Sequence, residues 1–264
     1  MLSIIITHHK TPVLLKLCLK SIKDNIEDIE HEIFIVDSQP QIEIQKSIKN
    51  DFPQVNFISF PKNVGYAKIV NTGIKKTKGE YILILNADIL ILKESVQRML
   101  EFIKENSDVG IIGPQLLTFS NQVQSSCFKF PTIGAFLARR TFLGKLKWGK
   151  KKINNFLMQK QNLSSPKEVN WVQGSAMLVR KKVIEEIGLM DERFFMYLED
   201  TDWCRRFWQN GYKVIYFPFA QMSHYYYRHS RKWGGFSDIL LNKYTRIHLI
   251  SALKYSWKWR NSKI

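Results

Sequence analysis

Apolar and polar positions alternate in two rhythms along the first 112 residues. Short continuous apolar runs read as buried strands: residues 2–6, 32–36, 55–60, 81–85 and 109–112. Between them, apolar residues recur every three or four positions and read as helices. Pro12 opens the first helix, with Leu14, Cys18 and Ile22 on one face. Ile42, Ile44 and Ile48 mark the second, and Ala67, Val70 and Ile74 the third, which starts at Asn63-Val64-Gly65. Val96, Met99, Leu100 and Ile103 mark the fourth. Strand–helix alternation of this kind implies right-handed crossovers and a mostly parallel, doubly wound α/β sheet flanked by helices.

The rhythm changes after residue 112. Residues 123–128 read as a strand, and 131–167 as a basic loop or an amphipathic helical stretch. Short β segments at 169–172 and 176–179 precede a helix, Lys181–Ile187, stopped by Gly188. A helix over 199–210 ends with Gly211 at its C′ position. A strand over 212–217 stops at Pro218, and the last 25 or so residues read as a helix rich in Trp, Tyr and Lys. This gives a domain over 1–230, split into halves 1–115 and 116–230, with a basic aromatic helical extension over 231–264.

Charge adds a feature that hydropathy does not show. The net charge of +17 is unevenly distributed. Residues 1–128 hold 14 basic and 14 acidic side chains, whereas 129–167 hold 10 basic and no acidic ones. Residues 228–264 hold 9 basic against 1 acidic, so two segments carry the excess. Both mix cations with aromatic and aliphatic anchors, as in 136–148 and 249–260, a composition suited to an anionic membrane surface. The opposing reading is that Leu249 and Leu253 pack on the core while the lysines are merely solvated. No nucleic-acid partner is expected, because the chain matches no RNA- or DNA-reading module. Cys18, Cys127 and Cys204 lie too far apart for a disulfide framework or a zinc knuckle and point to a reducing compartment. The first residues carry no basic n-region, and no uncharged apolar run approaches ~18 residues. The expectation is a cytoplasmic protein held peripherally at the inner face of the cell membrane.

Three polar groups fall at strand ends, where open α/β sheets bind ligands: Thr7-His8, Asp37 and Asn86-Ala87-Asp88. Neither a Gly-x-Gly-x-x-Gly nor a Gly-Lys-Ser/Thr loop is present. Asp88 suits a magnesium ion shared with substrate phosphates, or else caps a helix over 92–106. Glu199, Asp200 and Asp202 either stabilise a helix through its dipole or, beside Phe194-Phe195-Met196-Tyr197, have raised pKa values and supply a general base. His224 is either structural or a ligand. The tract Tyr225 to Trp233 either grips a pyrophosphate or coats the surface.

Six motifs in order now carry a resemblance: Ser3-Ile4-Ile5-Ile6-Thr7, Ile35-Val36-Asp37-Ser38, Asn63-Val64-Gly65-Tyr66-Ala67 with Asn71-Thr72-Gly73, Leu85-Asn86-Ala87-Asp88, Trp171-Val172-Gln173-Gly174-Ser175, and Met190-Asp191-Glu192 through Glu199-Asp200-Thr201-Asp202. Together, over about residues 2–230, they resemble family-two inverting glycosyltransferases, most of all the rhamnosyltransferase branch that builds cell-surface polysaccharides. The resemblance implies a GT-A fold, a nucleoside-diphosphate sugar donor, a glycan or glycolipid acceptor, and a divalent metal, Mg2+ or Mn2+. It implies that Thr7 and Asp37 hold the nucleoside, that Asn63, Gly65, Asn71 and Asn86 shape the donor pocket, and that Asp88, completed by His224, binds the metal. The family's Asp-x-Asp motif here reads Asn-Ala-Asp, without its first carboxylate. Trp171 and Gly174 would line the donor–acceptor cleft, and Asp200, paired with Glu199, matches the catalytic base. The sugar favoured is rhamnose; galactofuranosyl, glucosyl and N-acetylhexosaminyl transfer stay open.

Overall fold

A computed structural model describes residues 1–26, 28–40, 42–225 and 242–262. The amino-terminal half is the alternating unit that the apolar rhythm predicts. It comprises β1 (Leu2–His8), α1 (Pro12–Asn25), β2 (His31–Ser38), α2 (Ile42–Asp51), β3 (Asn56–Phe60), α3 (Tyr66–Ile74) and β4 (Tyr81–Asn86). Next come β5 (Ile89–Ile91), α4 (Ser95–Glu105), β6 (Val109–Leu117), β7 (Val123–Gln124) and β8 (Cys127–Phe128). A helical unit follows: α5 (Ile133–Arg140), a 3-10 turn (Phe142–Lys145) and α6 (Lys147–Phe156). The chain continues through β9 (Lys167–Glu168), β10 (Trp171–Val172), β11 (Ala176–Arg180), α7 (Lys181–Ile187), α8 (Glu199–Gln209) and β12 (Lys213–His224). The last described helix is α9 (Lys243–Lys258).

The main sheet runs β3-β2-β1-β4-β11-β6-β12-β5. β1 pairs in parallel with β2 and β4, β2 with β3, and β6 with β12. Only β11 and β5 run against their neighbours in that order. The chain first builds outward from β1 through β2 and β3, then returns to place β4 on the other side. The crevice at the carboxyl ends of β1 and β4 is therefore the point where strand order reverses. Alternate side chains of the buried strands feed two cores on opposite faces of the sheet. Ile4, Ile6, Leu83 and Leu85 pack with α1 and α4, whereas Ile5, Ile82 and Ile84 pack with α3, α7 and α8. All three cysteines are free and buried, and burial pushes the Cys127 thiol up to about 12.

Several expectations change in the fold. Asp88 does not cap a helix: β5 intervenes, pairing with β12 through Ile89 and His224, and α4 begins only at Ser95. The strand expected to stop at Pro218 instead continues to His224. It does so through an irregularity between Phe217 and Gln221, where the missing proline N–H costs no ladder bond. The single strand expected over 123–128 is two short ones, β7 on β6 and β8 on β10. The tract from residue 226 to Trp233, and the start of the extension expected over 231–264, lie outside the described residues.

Candidate active site

Register brings the three polar strand ends together. His8 lies opposite Asp37, and Thr7 opposite Asn86. The Thr7 hydroxyl donates to Asn86 Oδ1 at 2.9 Å. His8 Nε2 accepts the Thr11 N–H at 3.1 Å, so Nδ1 carries the proton that faces Asp37 Oδ2 at 2.9 Å. That leaves Asp37 Oδ1, in a side chain 2% exposed, as a buried acceptor with no partner among the described residues. An orphaned acceptor of this kind is costly unless a ligand supplies the donor.

Asn86 and Asp88 reach from the same edge into a cleft of about 870 Å³, whose walls also include Trp171, Gly174, Glu199, Asp200 and His224. Asp88 Oδ1 is buried without a hydrogen-bond partner, and His224 Nε2 lies 3.7 Å from it. His224 Nδ1 faces Gln124 Oε1 at 3.1 Å. A carboxylate oxygen and an imidazole nitrogen fit a divalent ion that takes its other ligands from water and substrate phosphates. Among the described residues, no group of three or more His, Cys, Asp or Glu side chains gathers around a common point.

On the facing wall, the chain enters α8 through Tyr197 and Leu198 at φ of +70° and +69°. Two successive left-handed, non-glycine residues are strained, a cost usually met only where the geometry serves a site. They aim Glu199 and Asp200 at the cleft. Asp200 Oδ2 accepts the Gly174 N–H at 2.9 Å, and Oδ1 accepts the Thr201 N–H at 2.7 Å. Burial raises the Asp200 carboxyl above its usual range, and those donors pull it back. Glu199 has no such set of donors. Burial first, and then the charge of Asp200, push it well above the carboxylate range, and its Oε2 is buried without a partner. Burial pushes both carboxyls up, Glu199 the further, while the donors on Asp200 favour its charged form.

Tyr66 joins both walls. Its hydroxyl donates to the Gly174 carbonyl, and Gly174 in turn donates to Asp200. Burial holds the phenol well above its usual pKa, and the charges of Glu199, Asp200 and Asp88 act in the same direction. Asn63 and Gly65 support this residue from behind. Asn63 Oδ1 accepts the Gly65 N–H at 3.0 Å, and Gly65 at φ +89° passes so close to the Phe195 carbonyl that a Cβ would collide with it. Tyr66 N–H then donates to that carbonyl at 2.8 Å. Asn71 lies apart from the cleft wall: its amide bonds the Met190 carbonyl, the Met190 N–H and Glu192, tying α3 to the segment that leads into the acids.

The outer wall is aromatic and cationic. Trp171 stacks on Phe128 at 4.5 Å between ring centroids, and Phe128 on Phe156 at 5.3 Å. Helix α9 closes the top, with His248 stacked on Tyr197 at 4.7 Å. It is pinned there by Lys258, whose Nζ lies 2.8 Å from Asp191 and 2.7 Å from the fully buried Asp202. Ser251 and Tyr255 face inward, while Ile250, Leu253 and Trp257 are exposed. Sequence reasoning did not single out Tyr66, Thr201 or Gln124 for this site. Tyr66 and Thr201 carried a signal, through their places in the Asn63–Ala67 and Glu199–Asp202 motifs.

Comparison with known proteins gives this geometry a context. Residues 3–188 match the family model described as glycosyl transferase family 2. An N-acetylglucosaminyl-diphospho-decaprenol L-rhamnosyltransferase of Mycobacterium tuberculosis is 27% identical over 202 residues, 72% of this chain but 63% of that protein, less than two thirds of its length. Rhamnosyltransferase WbbL of Escherichia coli is 27% identical over 265 residues, covering 97% of this chain and 92% of that one. The crystal structure of GalNAc-T7 with UDP, GalNAc and Mn2+ superposes with a TM-score of 0.68 at 15% identity, over 86% of this chain and 43% of that one, a likeness of fold.

Proposed function

The chain belongs to glycosyl transferase family 2 and has the GT-A fold, and on that premise we propose that it transfers a sugar, rhamnose by preference, from a nucleoside-diphosphate sugar to a hydroxyl of a glycan or lipid-linked glycan. The observation that carries this reading is the meeting of two unlike acidic sites across one cleft: Asp88 beside His224, and Asp200 beside Glu199. The rhamnosyltransferase names of both relatives support the sugar.

Asp200 is the general base. It is positioned by the Gly174 and Thr201 N–H groups, which favour its charged form, and it takes the acceptor proton as that oxygen attacks the anomeric carbon. Glu199 beside it, pushed further up by burial, ionises less readily than the base. Asp37, Thr7 and Asn86 face the nucleoside, with the open Asp37 Oδ1 as an acceptor for a base or ribose donor. Asp88 Oδ1 and His224 Nε2 would hold Mg2+ or Mn2+, whose charge stabilises a departing diphosphate. Trp171 and its stacked neighbours form the acceptor side, and a single displacement from that side inverts the anomeric centre. The exposed apolar side chains of α5 and the 3-10 turn, among the cations of 129–167, and those of α9, in the second basic segment, suit peripheral docking on an anionic membrane. No described helix is long and apolar enough to cross one.

The test is a panel of UDP-, dTDP- and GDP-sugars, dTDP-L-rhamnose among them, with and without Mn2+, read by thermal shift and then by transfer to a lipid-linked N-acetylglucosamine. A donor that stabilises the protein and yields glycoside product supports the reading. If no nucleotide sugar raises the melting temperature or is consumed, the reading fails.

A further inference from the structure

The segment 190–198, which carries the chain into the two acids at the head of α8, forms no helix or strand of its own. It is held instead by side chains and backbone groups of two helices, in alternation. From α3, Asn71 bonds Met190 and Glu192, and the Tyr66 N–H donates to the Phe195 carbonyl at 2.8 Å. From α9, Lys258 holds Asp191 at 2.8 Å, Lys254 Nζ donates to the Arg193 carbonyl at 2.6 Å, and the Ser251 hydroxyl donates to the Met196 carbonyl at 2.8 Å. Ser251, Lys254 and Lys258 are three and four positions apart, so one stripe of α9 makes all three contacts. The stripe begins at His248, stacked on Tyr197. Its far end reaches past the two acids, where Lys258 and the Trp259 indole both bond Asp202 in the first turn of α8.

These ties converge where the backbone is least at ease. Met196 is followed at once by Tyr197 and Leu198, the two left-handed residues that set the direction of Glu199 and Asp200. Such a pair persists only where neighbouring contacts over-determine it. The buried Ser251 supplies one of those contacts directly before the pair, and Lys254 another three residues earlier. Neither side chain lines the cleft, whereas Tyr197, Leu198, Glu199 and Asp200 all do. The geometry points to Ser251 and Lys254 as positioning residues for the base: by holding the Met196 and Arg193 carbonyls, they fix the turn that aims Asp200 at the attacking hydroxyl. The helix α9 is in this way a working part of the site as well as its cover. This rests on the transferase reading and adds to it two residues, outside the cleft, on which the transfer rate depends. The dependence is steep, because a misplacement of about 1 Å can slow a reaction by about 10²-fold.

The experiment measures transfer from dTDP-L-rhamnose, or from whichever donor the sugar panel identifies, by wild type, Ser251→Ala, Lys254→Met, Asp200→Asn and Ser251→Ala/Asp200→Asn. Thr77→Val is the control. Its hydroxyl also donates to a backbone carbonyl, that of Ile74 at 2.7 Å, but on the amino side of β4, whose carboxyl end borders the cleft. Ser251→Ala should lower kcat by about tenfold or more while donor KM and nucleotide affinity stay within about twofold, because a base out of line slows the chemistry and not the binding. Lys254→Met should lower kcat by a smaller factor, and Thr77→Val should leave it unchanged. In the Asp200→Asn background, Ser251→Ala should change the residual rate by less than about twofold, since a residue that acts through the base has nothing left to position. An unchanged kcat in Ser251→Ala, an equal loss in Thr77→Val, or the same loss with and without the Asp200 carboxylate would each overturn the assignment. Lys254 is exposed, so if Ser251→Ala loses nucleotide affinity, Lys254→Met takes its place in the double comparison and the same outcomes decide. A wild type that transfers no sugar would count against the transferase reading instead. Hydrogen exchange would then still decide the turn: the amides of 197–201 should exchange about tenfold faster in Ser251→Ala than in wild type, and equal rates would overturn the assignment.

Discussion

Asp200→Asn separates the chemical role of this residue from its structural one. The carboxylate accepts the Gly174 N–H on one oxygen, and the Thr201 N–H and hydroxyl on the other. An amide has one oxygen. If that oxygen keeps the Thr201 pair, the new NH2 faces the Gly174 N–H, which loses its acceptor at a part-buried position on the cleft wall. One buried donor left unpaired costs about 1–3 kcal/mol. For a chain of this size, that lowers the melting temperature by about 2–10 °C. The chemical loss is separate, because an amide does not accept the acceptor proton. Turnover should fall by about 10²–10⁴-fold, the usual contribution of a positioned general base. The assay is a single-donor transfer rate, measured with nucleoside-diphosphate affinity and melting temperature on the same preparation. The reasoning is refuted by a variant that turns over within about threefold of wild type, or one whose rate loss follows only its loss of folded protein.

Two further outcomes follow from the buried charges. Glu199 has a raised pKa in the folded chain, so its favourable protonated state is fully present below the unfolded carboxylate value, about 4.3, and stability is lost as pH rises toward the folded value. Glu199→Gln does not ionise, so its melting temperature minus that of wild type should increase steadily from pH 5 to pH 8; a pH-independent difference would contradict the raised pKa of Glu199. Among the described residues, Lys258→Met leaves the fully buried Asp202 with the side chains of Arg206 and Trp259. It should lower stability in urea titration by an amount near the lower end of about 3–5 kcal/mol and loosen α9; a change below about 0.5 kcal/mol, the size of an exposed pair's effect, would mean that the bridge does not hold the helix.

Much of the donor half was legible because its signals are local. The apolar runs at 2–6 and 81–85 end at Thr7 and Asn86, and parallel register alone sets those ends side by side. Asp88 was ambiguous because Ile89-Leu90-Ile91 is too short to read as a strand, and its partner on β12 is more than a hundred residues away. Pro218 misdirected the reading of β12, since a proline usually ends a strand and here lies within an irregularity. The motif around Asn71 was visible, but its bonds to Met190 and Glu192, 119 and 121 residues distant, have no sequence period to reveal them. Tyr66, Gly174 and Asp200 likewise come from three separate segments. The cations of 129–167 were evident in composition, yet which of them line the cleft depends on the close approach of Gly144 to the Ala138 carbonyl.

The central claim is a division of labour, with Asp88 and His224 serving the leaving diphosphate and Asp200 the attacking hydroxyl. Titration of UDP or dTDP into wild type, Asp88→Ala and Asp200→Asn, each with and without Mn2+, measures it directly. The account predicts that the ion tightens nucleotide binding in wild type and in Asp200→Asn, and that this gain disappears in Asp88→Ala. An equal gain in all three proteins, or its loss in Asp200→Asn alone, would contradict it.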